Sequence, residues 1–148
     1  VDDDYKEIKV QSVATQIWQN IYEHRNACTA SQHSTASLTV QARVRKMLDF
    51  IEHHYAEKIQ LADIAAAVNI SKNEALSCFR EGIGISPIDY LIRFRLSKAR
   101  EMLMTPGKSI TDIALSVGFE HLGYFDRMFR KNYNITPNNF RRSNNNAL

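Results

Sequence analysis

The second half of this 148-residue chain states one pattern twice, and that repetition limits the folds open to it. Residues 59–90 read IQLADIAAAVNISKNEALSCFREGIGISPIDY, and residues 108–140 read KSITDIALSVGFEHLGYFDRMFRKNYNITPNNF. Asp63-Ile64-Ala65 returns as Asp112-Ile113-Ala114, Val68 as Val117, and Phe79-Arg80 as Phe129-Arg130. Ile85 returns as Ile135, Pro87 as Pro137 and Tyr90 as Phe140. The register slips by one residue in between, as a loop insertion would make it. Each copy reads as two helices across a tight turn followed by a capped exit, the pattern of a helix-turn-helix.

Helical signals fill residues 41–142. Val44, Met47, Leu48, Ile51 and Tyr55 fall at steps of three and four and predict a helix over about 41–56. Leu61–Val68 predicts a short helix, ended by Asn69, which tolerates a left-handed turn. Ser71-x-x-Glu74 is a capping box opening a helix over 71–81, ahead of Gly82 and Gly84. Ser86-Pro87 supplies an N-cap and a first-turn proline for a long helix. Its expected apolar face is Ile88, Ile92, Leu96, Ala99 and Leu103, and it stops before Pro106-Gly107. Ser109-x-x-Asp112 opens a second short helix closed by Gly118, residues 121–132 form the next, and Thr136-Pro137 cap the last. No strand pattern competes. The expected fold is all-α: two helix-turn-helix subdomains over 41–148 joined by a long connecting helix.

Two further zones precede them. Val10, Val13, Ala14, Ile17, Trp18, Ile21 and Tyr22 give an extra N-terminal amphipathic helix within residues 1–26. Residues 27–40, ACTASQHSTASLTV, lack Asp, Glu, Lys and Arg and read as a linker. Residues 1–40 carry three Lys/Arg against five Asp/Glu, whereas residues 41–148 carry sixteen against eleven. The repeated half is thus the basic half, as nucleic-acid binding requires. No stretch approaches the length of a membrane span, and the N-terminus has no signal-peptide pattern. Two cysteines in unrelated contexts, Cys28 and Cys78, make no disulfide framework and suit a reducing cytoplasm.

In a helix-turn-helix the second helix enters the major groove while the first braces it across the backbone. The tight turns fall to Asn69 and Gly118, and Ala65 and Ala114 are small enough for close helix crossing. A connecting helix of about nineteen residues spans roughly 28 Å, near the ~34 Å recurrence of the major groove on one face of DNA. Two readers in tandem imply a long, asymmetric site on double-stranded DNA.

Residues 43–142 resemble the DNA-binding domain of the AraC/XylS family of bacterial transcription regulators. The resemblance rests on Ile113-Ala114, Val117-Gly118-Phe119, Tyr124-Phe125, Arg127, Phe129-Arg130-Lys131, Ile135-Thr136-Pro137 and Phe140-Arg141. Asp63-Ile64-Ala65, Ser86-Pro87, Tyr90-Leu91, Arg95-Leu96 and Ala99 add to it. It implies seven helices, of which the third and sixth read DNA, in a transcription activator that recruits RNA polymerase. By position, the first reading face is Lys72, Asn73, Leu76 and Ser77, and the second is His121, Leu122, Gly123, Asp126 and Arg127. Phosphate contacts fall to Lys72, Arg80, Arg130, Lys131 and the helix N-termini, with Arg95 in a structural role. Ser77 stands where many members carry arginine, and Leu122 and Gly123 where polar residues are common, leaving fewer groups for direct readout. The second reader, which keeps Arg127, matches the family more closely, and the first is expected to act mainly through the backbone.

Rival readings are a protein-interaction module with a degenerate helix-turn-helix, favoured by Leu76, Leu122 and Gly123, and a DNA alkylation-response module. The latter needs a methyl-accepting cysteine in a metal cluster, and Cys28 lacks the companions. His24, Cys28 and His33 likewise fall short of a metal site, so no cofactor is expected. No nucleophile–base pair or phosphate-binding glycine loop suggests an enzyme. His53-His54 read as a solvated pair at a helix end, Cys78 as core, and Arg141-Arg142 as solubilising. The helix over 5–26 is open to two roles: docking in cis, or closing a sensory domain and pairing two chains through residues 10–22.

Overall fold

The computed structural model describes residues 35–145, with side chains from Leu38 onward. Among the described residues there are seven helices and no strand. They are α1 (Thr35–His54), α2 (Leu61–Ala66), α3 (Lys72–Ile83), α4 (Pro87–Leu103), α5 (Ile110–Ser116), α6 (Leu122–Tyr133) and α7 (Pro137–Asn145). The helix expected over 5–26, its pairing face, and His24, Cys28 and His33 lie outside the described residues. The linker expected over 27–40 is corrected at its C-terminal end, because Thr35–Val40 belongs to α1. That stretch has no Gly or Pro to stop a helix, and Val40, one turn before Val44, packs on the first core.

The chain closes two cores. Val44, Met47, Ile51, Ile64, Ala75, Phe79, Tyr90 and Leu91 belong to the first, supplied by α1, α2, α3 and the start of α4. Leu96, Ala99, Leu103, Ile113, Val117, Phe125 and Phe129 belong to the second, supplied by the rest of α4, α5 and α6. The stripe expected on the connecting helix is therefore half right. Leu96, Ala99 and Leu103 are buried, whereas Ile88 and Ile92 are only half-buried, and Tyr90, Leu91 and Phe94 take the inner positions. One helix serving two cores needs two stripes. At about 100° per residue, the Pro87–Phe94 stripe and the Leu96–Leu103 stripe lie roughly 160° apart around α4. The two heads thus attach to opposite sides of the rod.

The turns obey the repeat while exchanging residue types. In the first head Asn69 (φ 55°) turns the chain between α2 and α3; in the second, Gly118 (φ 93°) turns it between α5 and α6. The matching bonds are Ile70 N–H to Ala65 O at 3.2 Å and Phe119 N–H to Ala114 O at 2.9 Å. At the exits the types reverse, with Gly84 (φ 84°) after α3 and Asn134 (φ 58°) after α6. Glycine and asparagine are the residues that enter this region at least cost. The short helix expected over Leu61–Val68 ends at Ala66, and that expected to stop at Glu81 runs on through Gly82 to Ile83. Gly82 lets α1 approach closely, since a Cβ there would sit 3.0 Å from Val44 Cγ2.

The serine caps are those the sequence announces. Ser71 Oγ accepts from Glu74 N–H, and Glu74 Oε2 accepts from Ser71 N–H, each at 3.2 Å. Ser86 and Ser109 cap α4 and α5 by accepting from the N–H of Asp89 and Asp112, and their hydroxyls donate to the same carboxylates. Gln60, which no serine pattern marks, starts α2 with its N–H on Asp63 Oδ2 at 2.7 Å. Ser71→Ala should cost about 1 kcal/mol of stability, the ordinary value of an N-cap, checked by urea denaturation. Arg142 is exposed, but Arg141 is half-buried, so only the former fits a solubilising role. His53 and His54 fill the last turn of α1, the latter against Glu57 at 2.9 Å.

Candidate nucleic-acid interface

On α3, burial of Ala75, Cys78 and Phe79 leaves Lys72, Asn73, Ser77 and Arg80 exposed on the opposite face, with Leu76 half-buried at its edge. On α6, burial of Phe125 and Phe129 leaves Leu122, Gly123, Asp126, Arg127, Arg130 and Lys131 exposed. His121 is the exposed N-cap residue of α6 and lies just outside the helix. Every residue assigned to a reading face is thus exposed except Leu76, which is half-buried. Leu122 is 39% exposed, so its side chain is available to a partner.

The repeat pairs these faces position by position. Lys72 corresponds to Leu122, Asn73 to Gly123, Leu76 to Asp126, Ser77 to Arg127 and Arg80 to Arg130. Only the last pair is chemically alike. Beneath the faces, Phe79 and Phe129 hold the same place in their cores. Two similar scaffolds therefore present two different chemistries. The cations are unengaged: among the described residues Lys72, Arg80, Arg127, Arg130 and Lys131 form no ion pair. Arg127 does rest on an aromatic ring, its Cζ lying 5.4 Å from the Tyr124 centroid. Tyr124 was not among the residues assigned from sequence; its position three before Arg127 on a helix is the signal that marks it.

The helix starts differ too. The N-terminus of α3 is occupied by its own Glu74 carboxylate, whereas α6 has no side-chain cap and no acidic residue in its first turn. Apart from its chain neighbours and the backbone of its own helix, Gly123 has no atom within 4 Å of where a Cβ would stand. The first N–H groups of α6 therefore face outward without a side-chain acceptor, a polarity that suits an anion.

Between the heads lies a joint. Arg95 Nε donates to Tyr55 O at 2.6 Å and Arg95 Nη2 to Glu57 O at 2.7 Å. Its guanidinium also lies over the Phe119 ring, 5.9 Å from the centroid. Burial lowers the Arg95 pKa, an effect that Glu120 and Tyr124 oppose. Lys58 Nζ meets Glu120 Oε1 at 2.7 Å and holds that carboxyl below its usual range. Arg95 thus has the structural role expected of it.

Two helix-turn-helix units on one rod, each turning an unpaired cationic face outward, define a nucleic-acid-binding architecture. A helix-turn-helix domain family matches residues 64–143. An HTH-type transcriptional regulator of Bacillus subtilis (strain 168), YdeC, is 28% identical over 138 residues, covering 93% of this chain and 46% of that protein. The transcriptional activator RhaS of Klebsiella pneumoniae (strain 342) is 33% identical over 100 residues, covering 68% of this chain and 36% of that protein. An AraC-type transcriptional regulator from Chromobacterium violaceum superposes with a TM-score of 0.65 at 30% identity, covering 70% of this chain and 93% of that one. The chain belongs to the AraC-type helix-turn-helix family of bacterial transcription regulators and carries its DNA-binding domain. It spans less than half the length of the two curated relatives. No helix among the described residues is long and apolar enough to cross a membrane.

Proposed function

We propose that the chain binds double-stranded DNA by seating α3 and α6 in successive major grooves, and that it activates bacterial transcription by recruiting RNA polymerase. The observation that carries this is the pair of repeat-related outward faces with five cations that form no ion pair among the described residues, beside two well-packed cores. At 17 residues, α4 spans about 26 Å, comparable with the ~34 Å recurrence of the groove. Lys72, Arg80, Arg130 and Lys131 hold phosphates, and Asn73, Ser77, Asp126 and Arg127 meet base edges. Leu76 and Leu122 meet thymine methyl groups. The activator role follows the relatives named RhaS. The setting is the bacterial cytoplasm, on the nucleoid.

Selection of bound duplexes from a random library should return two unlike half-sites in fixed order. Four phosphate contacts predict a slope of log K against log salt of about −3 to −4. Failure to hold any duplex at low salt would replace this reading with that of a protein-interaction module. Arg127→Ala should weaken the selected site by about 1–3 kcal/mol and relax preference at one base position. A titration showing unchanged affinity and unchanged preference removes Arg127 from the base-reading set.

A further inference from the structure

The one-residue slip between the repeats falls at Glu120, between Phe119, which matches Ile70, and His121, which matches the N-cap Ser71. Glu120 is the residue that reaches Lys58 of the first head. Gly118 differs from its counterpart Asn69 at the same place. A Cβ on Gly118 would lie 2.8 Å from Tyr55 O and 2.9 Å from the Arg95 guanidinium. These two departures from the repeat therefore lie where one head touches the other.

Arg95 has the geometry to join them. It follows Phe94, of the first core, and precedes Leu96, of the second, on the flank of α4 between the two buried stripes. Its planar fork spans two carbonyls of the α1–α2 loop while its face covers Phe119 in the turn of the second head. Tyr55, whose carbonyl it takes, packs against both cores. A lysine cannot reproduce this, because one ammonium is a point charge without a fork or a stacking face.

We propose that Arg95 is a positioning residue for DNA recognition: its fork, with Gly118 and the Lys58–Glu120 pair, locks the two heads at one mutual angle and so fixes the half-site spacing the chain accepts. This rests on the two-groove reading above. An inserted base pair moves the second half-site by about 3.4 Å and turns it by roughly 35°. Heads held rigidly cannot follow that motion, and heads freed from each other can.

Two measurements test it. In DNA-free protein, residual dipolar couplings of amides in residues 61–83 and 110–133 should fit one alignment tensor for the wild type. Two tensors should be needed for Arg95→Met, with Arg95→Lys between them as the better-folding variant. On duplexes with the selected half-sites, a one-base-pair insertion should weaken the wild type about tenfold and Arg95→Met less than threefold. Binding to an isolated half-site should stay unchanged. A single shared tensor in folded Arg95→Lys and Arg95→Met, or an undiminished spacing penalty, overturns the proposal. If the wild type binds no tandem site, the two-groove reading fails instead, and the couplings still decide whether Arg95 locks the heads.

Discussion

Phe129→Ala should remove about 3–5 kcal/mol of stability and remove it from one head. Phe129 is fully buried, with ring centroids 5.7 Å from Phe125, 4.7 Å from Tyr133 and 5.9 Å from Phe140. Loss of the ring leaves a cavity that these neighbours, fixed on α6 and α7, fill only in part. The cost is a large share of the roughly 5–15 kcal/mol that stabilises a typical domain. None of these partners belongs to the first core. Hydrogen exchange should therefore show protection lost across α5–α7 and largely kept across α1–α3. Phe79→Ala, at the matching place in the first core, should give the reverse map. Uniform loss in both variants would mean that the heads unfold as one unit, and the two-core description would fail.

The framework was legible because it rests on local chemistry. Ser71, Ser86 and Ser109 lie beside their acidic partners three residues on, and the caps form where the spacing places them. Asn69 and Gly118 take positive φ as turn residues should. The outward sides of α3 and α6 were legible for the same reason, since burying Phe79 and Phe129 decides which residues look outward. What the periodicity missed depends on contacts across the chain. Ile88 and Ile92 fit a single stripe, but α4 changes core near Arg95, and a window on one helix contains no sign of that. The helical start at Thr35 depends on Val40 finding the first core. The joint joins residues some forty apart in sequence, as in the Arg95 bond to Tyr55 O. Its traces in the sequence are the slip at Glu120 and the glycine at 118 where the first head has Asn69.

Gly118→Asn should be far more damaging than Asn69→Gly, although the two positions are equivalent in the repeat. Both residues have positive φ, 93° at Gly118 and 55° at Asn69, and asparagine tolerates the left-handed region. Backbone strain alone would make the exchange mild in either direction. The difference is what stands nearby: a Cβ at position 118 meets a backbone oxygen, Tyr55 O, at 2.8 Å. That oxygen cannot swing aside like a side-chain tip, because it already accepts from Arg95 at 2.6 Å. Overpacking of this kind costs about 1–3 kcal/mol, to which strain adds about 1 kcal/mol or more. Gly118→Asn should therefore lose about 2–4 kcal/mol in urea denaturation, and Asn69→Gly less than about 1 kcal/mol. Gly84→Ala serves as the control for strain without collision, since φ there is 84° and nothing lies within 4 Å of an added Cβ. It should cost about 1–2 kcal/mol. If Gly118→Asn and Gly84→Ala lose the same amount, the close approach of the two heads at Gly118 contributes nothing, and the glycine is there for its turn alone.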